Sequence, residues 1–421
     1  MIEKYYDGAI EQVAAGLGTV EKNYLLVRYS GQFSVENLND TKQLEKNEDI
    51  FVQVHEFETG EITCAYEPYL TMICDGFRRY MTGSFEEFME TCDVYYLHRP
   101  VLLGYFNQDN TGREEIILLD EVAYEQERML AALERMLCAI ADRHPVLFVL
   151  NRFQLASKST MQLTARFLKC ENCNIGLVLG VSDIQAMPEF LVPDWEMLYE
   201  TLDDGSKIYH IGNSGRKKEE AIDDEKYVDY GSEKVYRKLQ NMVEFLDFDQ
   251  AAYYLETIER KIKFDNLLVD DAARFRMWLL FVKVSILRQD IPKALEICED
   301  LEKIHLAGKE EECAYEQDYL IATAYMYQGK LKEALEMAGE TYRIAGKMSD
   351  DYRMFLSELL EAKIQMSGWY NIFFCAQDVK IKESLIQNLI RYNYRNHLAH
   401  VYIYAYDNKP EIVKKASPRS F

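Results

Sequence analysis

Asn151 and Arg152 interrupt a run of five apolar residues, 146–150, at the point where α/β proteins usually place their reactive groups. The run is short enough for a strand buried on both faces. From about Ser159 the apolar residues resume at helical spacing, with Met161, Leu163, Thr164, Phe167 and Leu168. A buried strand, a polar break and an amphipathic helix form the half-unit that binds nucleotides in such folds. A second polar turn, Ser30-Gly31-Gln32-Phe33-Ser34, follows another strand-like stretch, 24–29, and would lie on the same sheet edge. Other candidates carry less chemistry. Cys170 and Cys173 have C-x-x-C spacing but no second pair, so the spacing favours two thiols in a loop over a zinc or redox site. His397 and His400 lie one helical turn apart with no acid nearby in sequence, and are read as structural. No G-x-S-x-G, H-E-x-x-H or paired catalytic carboxylates occur.

The elements around these residues alternate. Strands are expected at 24–29, 49–57, 174–181 and 207–211, besides the run at 146–150. Helices are expected at 5–17, weakly at 35–44, from Tyr69 through Met81, after a capping box at Ser84 and Glu87, and at 121–142. Residues 101–106 and 115–119 read as strand-like pieces that could pair as a hairpin across the turn at 108–112. The alternation implies a mostly parallel sheet covered on both faces, with any ligand at the carboxyl ends of the strands. That edge would hold residues 30–34, 151–154 and 181–183.

On these residues the chain resembles a known family. NRFQLASKSTMQLTARFL is similar to the Walker B segment of STAND-type P-loop ATPases, with Phe153-Gln154 at the aromatic-Gln step and Ser159 at the helix start. HEFETGEITCAYEPYL resembles the segment after that family's second strand, and residues 175–181 stand in the place of its sensor strand. The resemblance covers roughly residues 24 to 212 and implies an ATP site with magnesium, to which Ser30, Gly31, Ser34 and Asn151 would contribute.

The motifs that hold phosphate and metal are missing. A phosphate cradle needs G-x-x-x-x-G-K-[ST]: glycines free the backbone N–H groups, lysine neutralises phosphate and the hydroxyl holds magnesium. The loop at 30–34 has one glycine and no lysine, and the Gly-Lys pairs at 308–309, 329–330 and 346–347 lack the motif. Asn151 and Arg152 replace the two Walker B acids, and a guanidinium repels magnesium. The sensor strand ends in Val181-Ser182-Asp183 without an arginine. This half therefore reads as an NTPase fold without NTPase chemistry and with no cofactor. The alternatives are a divergent site that still takes ATP with magnesium and a sheet that is merely patterned alike.

Residues 214–232 are charged and nearly free of aliphatics, as in a solvated linker, and too short for the helical module that usually follows the family's ATPase. Beyond them the chain reads as helices that repeat. Counting Tyr315 as position one, Ala322, Tyr325, Gly329, Ala334, Ala338 and Thr341 fall at 8, 11, 15, 20, 24 and 27. This resembles the tetratricopeptide repeat, in which small residues let paired helices approach and glycine turns the chain between them. Aligned breaks fall at 246, 289, 329 and 368, with a final helical stretch over 381–406; an irregular helical bundle is the competing reading. A curved stack of helix pairs binds a protein or peptide in its groove, for which Trp278, Tyr319 and Tyr325 are the candidates.

The expected fold is thus an α/β domain over 1–213 with a mostly parallel, P-loop NTPase-like sheet, then the linker, then an all-α tetratricopeptide-like solenoid over 233–421. A net charge of −23 disfavours nucleic acid. No apolar run is long enough to span a bilayer, the N-terminus lacks a signal-peptide pattern, and nine scattered cysteines suit a reducing compartment; together these point to the cytoplasm. The function expected is that of a non-catalytic signalling or scaffold protein. The alternatives are a regulatory ATPase with a divergent site and a regulator that has lost a DNA-binding or cyclase output domain.

Overall fold

A computed structural model describes residues 2–19, 23–29, 35, 49–58, 61–109, 121–170, 174–182, 187–202, 208–211, 229–265, 267–367 and 382–408. The described residues form two compact units, dividing after Tyr254.

The first unit is built on five strands, β1 (Asn23–Tyr29), β2 (Phe51–Glu56), β3 (Val146–Asn151), β4 (Ile175–Ser182) and β5 (Ile208–Ile211). Their order is β2-β3-β4-β1-β5 and every pairing is parallel. Every residue of β3 and β4 is buried, which is why both read as unbroken apolar runs rather than alternating ones. Among the described residues, the helices that accompany the strands early in the unit are α1 (Ile2–Gly16), α2 (Tyr69–Tyr80), α3 (Phe85–Thr91), α4 (Arg99–Asn107) and α5 (Val122–Ala141). After β3 come α6 (Lys158–Lys169), α7 (Val192–Leu202) and α8 (Glu233–Glu244). Tyr6, Ile10 and Val13 of α1 join Val27, Val149 and Val178 in one core cluster. Tyr69 of α2 meets Phe148 of β3 edge-on at 4.8 Å. Ser84 accepts from the Glu87 backbone, and Glu87 reaches back to the Ser84 N–H, so the capping box is formed as expected.

Two expectations change. Residues 101–106 are not a strand but the body of α4. Pro100 presets the first helical turn, and Phe106 stacks on Phe85 at 4.2 Å, so a run too short to show a period is decided by what it packs on. The remainder of that expected hairpin, 115–119, the loop 30–34, the expected helix beyond Val35 and most of the linker 214–232 lie outside the described residues. Helix α8 and the start of α9 (Phe248–Phe264) belong to the first unit, up to Tyr254, rather than to the helical region expected to begin at 233.

The second unit is all helical among the described residues: the remainder of α9, then α10 (Asp271–Leu287), α11 (Ile291–Leu301), α12 (Glu310–Gln328), α13 (Leu331–Met348), α14 (Asp351–Met366), α15 (Glu383–Arg391) and α16 (Arg395–Asn408). Each packs chiefly on its neighbours in sequence. Ala322, Ala334 and Ala338 are wholly buried in one cluster, so the small residues sit where α12 and α13 approach. The expected turn positions are left-handed at Leu246 (φ 65°), Gln289 (φ 63°) and Gly329 (φ 81°); the fourth, 368, lies outside the described residues. Only the third has the residue that adopts this conformation without strain.

Candidate functional site

The carboxyl ends of β1, β3 and β4 bring Tyr29, Asn151 and Ser182 together, as the sheet reading requires. What these residues do there is pair with one another. The Tyr29 hydroxyl donates to Asn151 Oδ1 at 2.7 Å, and the Asn151 side chain has no exposed surface. Tyr6 reaches the same spot: a Cβ added at Gly180 would collide with its hydroxyl and lie 2.5 Å from Asn151 Oδ1. Glycine at 180 is thus what lets the tyrosine ring and the amide end of β3 share this space. Burial pushes the Tyr29 hydroxyl up to about 12, with Arg152 and the Asn151 hydrogen bond pulling the other way. Burial also raises Tyr6 well above the ordinary tyrosine value.

Arg152 takes a left-handed conformation (φ 53°) and pairs with Glu56 at the end of β2, with Nε 3.3 Å from Oε1. Glu56 also accepts the Val35 N–H at 3.1 Å, at the far end of the loop that contains Ser30, Gly31 and Ser34. Those three candidates lie outside the described residues. Phe153 is buried near Phe57 and Trp195. Gln154 closes the end of β4, donating to the Ser182 carbonyl at 3.1 Å and accepting its N–H at 3.4 Å. The aromatic-Gln pair that suggested nucleotide chemistry is therefore used to join β3 to β4.

The most consequential arrangement was not read from the sequence. Helix α6 begins one turn after β3, capped by Ser157, which accepts the Thr160 N–H at 3.2 Å. A helix N-terminus in this position is a natural seat for an anion. Here the anion comes from the chain itself. Asp247, in the turn between α8 and α9 and only 4% exposed, accepts the Ser159 N–H at 3.0 Å. The same carboxylate accepts the Gln250 N–H at 3.4 Å, capping its own helix. Gln250 accepts the Lys158 N–H at 3.3 Å, and the Lys158 ammonium bonds Asp249 with Asp194 3.9 Å away. Burial raises the Asp247 carboxyl above the usual range, and the bonds from Ser159 and Gln250 oppose that rise. The only sequence signal was an acid just before an apolar helix, which fits a cap and says nothing of a partner 88 residues away.

The end of β3 is poorly suited to magnesium: it holds an amide whose oxygen already accepts from Tyr29 and a guanidinium engaged by Glu56. Among the described residues, no group of three or more His, Cys, Asp or Glu is placed to hold a metal ion. No helix among them is long and apolar enough to cross a membrane.

In the second unit, Trp278 is 2% exposed and packs on Phe281, so it has no surface to offer a partner. Its aromatic bulk serves the core, which corrects its assignment as a groove residue. Tyr319 and Tyr325 are half-buried against the Ala322–Ala334 cluster, and Lys330 lies over the Tyr325 ring. Among the described residues of this unit the more exposed aromatics are Phe264, Tyr327, Tyr342 and Tyr352.

Asp318 of α12 is the most perturbed carboxyl there. Burial, then Glu340 and Glu302, push it up to about 6. An acid with a raised folded value is favoured when protonated, so its stabilising contribution is complete below about pH 4 and is lost as pH rises through about 6. Asp318→Asn should therefore raise stability by about 1 kcal/mol above pH 7, a figure discounted for solvent screening, and by nothing near pH 4. Urea unfolding at both pH values checks this; an equal gain at both would refute the titration.

Scanned against protein-family models the sequence matches none, and no curated protein matches it significantly.

Proposed function

We propose that this chain is a non-catalytic signalling or scaffold protein of the cytoplasm. Its helical region, a tetratricopeptide-like solenoid, holds a protein or peptide partner, and its α/β domain is an NTPase-like fold that no longer turns nucleotide over. One observation carries the reading: the end of β3, where two acids would hold magnesium, is a fully buried amide bonded to Tyr29. The α6 N-terminus beside it already receives the carboxylate of Asp247. The strongly negative chain adds a general field that opposes polyphosphate. On the helical side, support comes from the buried alanines at repeat spacing and from the tyrosines left exposed on α12, α13 and α14.

The test is thermal unfolding of the full chain with millimolar ATP and magnesium, together with phosphate release. Neither the midpoint nor the phosphate background should change. A magnesium-dependent rise of several degrees would overturn the inactive reading in favour of a divergent nucleotide site.

A further inference from the structure

Two thiols away from the sheet edge stand close enough to react with each other. Cys138 lies near the end of α5, and Cys170 is the C-cap residue of α6. Their Sγ atoms are 3.8 Å apart, and both residues are partly exposed, so a small oxidant can reach them. A disulfide bond is about 2.05 Å long, so the pair need close by only about 1.8 Å, within reach of side-chain rotation.

We propose that Cys138 and Cys170 are a thiol oxidation site, forming a reversible intramolecular disulfide when the chain meets hydrogen peroxide. The Cys170 sulfur attacks the O–O bond, which breaks. Cys170 becomes a sulfenic acid, and the other oxygen leaves as water after taking up a proton. The Cys138 sulfur then attacks the sulfenic sulfur, the S–O bond breaks, and the Cys138 proton leaves with the hydroxyl as a second water. The two thiols together lose two electrons, and the peroxide gains them.

Burial, the neighbouring Cys170 and the acids Glu134 and Asp142 all push the Cys138 thiol up, so Cys138 keeps its proton until its sulfur bonds the sulfenic sulfur. The bond would close a loop that contains all of β3 and its polar turn. It would brace the two helices, α5 and α6, that precede and follow that strand.

The experiment treats the reduced, desalted full chain with a small excess of hydrogen peroxide and maps the products by mass spectrometry without reduction. The expected product is a cross-linked peptide pair joining Cys138 to Cys170, lighter by two hydrogens and lost on adding dithiothreitol. The melting temperature should rise by roughly 5 °C and return on reduction. Cys173→Ser should retain both effects, and Cys138→Ser should abolish both. A bridge between Cys170 and Cys173 instead, or sulfinic acid at Cys170 with no cross-link, would overturn the proposal. Because the wild-type map decides between these products, the conclusion stands even if a variant folds poorly.

Discussion

Asn151→Asp should destabilise the protein by about 3 kcal/mol at pH 7 and confer no magnesium binding. The side chain at 151 has no exposed surface. The neutral Tyr29 hydroxyl on β1 donates to its oxygen, and the adjacent cation, Arg152, is engaged by Glu56. A carboxylate there would be buried beside a cation that already serves another acid, so its pKa would rise and it would take up a proton where it could. An acid raised in the folded state costs stability above its folded pKa and none below its unfolded one. The deficit should accordingly shrink as pH falls from about 7 toward about 4. Urea unfolding at several pH values, with a magnesium–ATP titration of the variant, checks both halves. A variant as stable as the wild type, or one that binds magnesium nucleotide, would mean that the β3 end is an open site rather than a packed one.

Asp247→Ala should cost about 3–4 kcal/mol, because it removes two roles at once. The Ser159 and Gln250 N–H groups lose their shared acceptor, and Ser159 is itself only 3% exposed, so water cannot readily replace it. Loss of a helix cap costs about 1 kcal/mol, and loss of a charge-assisted buried bond about 1.5–3 kcal/mol. Asp247→Asn keeps an acceptor for one N–H and should cost less than half as much. Hydrogen exchange should show the α8 segment and the start of α9 opening first, since their attachment to the β3–α6 turn runs through this carboxylate, Gln250 and Lys158. If Asp247→Ala costs under about 1 kcal/mol, the carboxylate is an ordinary cap and the docking depends on the other contacts of these helices.

Much of this architecture was legible in the chain because it rests on local pattern. β3 and β4 are continuous apolar runs, and a strand buried on both faces has no polar side to show. The Ser84–Glu87 capping box needs only residues three apart. The breaks at 246, 289 and 329 were visible from the helical periods on either side, even where leucine and glutamine rather than glycine take the left-handed turn. Where the pattern was shorter than a period, it failed. Residues 101–106 fit either a strand or a helix, and their packing beside Phe85 and Phe77 made them a helix. Trp278 looked like a recognition residue because aromatic type alone cannot distinguish a core from a groove.

The candidate site divides the same way. Absence of the phosphate-cradle motif is a property of residue types in order, so it can be read from the sequence by itself. What stands in its place was decided only by the tertiary structure. Tyr29 and Asn151 are 122 residues apart, and Ser159 and Asp247 are 88 apart. Hydrogen bonds between such residues leave no periodic trace, because their partners are chosen by strand order and helix docking. Parallel pairing placed β1 and β3 on either side of β4, with all three ending at one edge, and the turn before α9 carried a carboxylate to the N–H groups at the start of α6. Asn151 and the Ser159 N–H are polar groups buried on folding that needed a partner, and the fold supplied one from the chain itself.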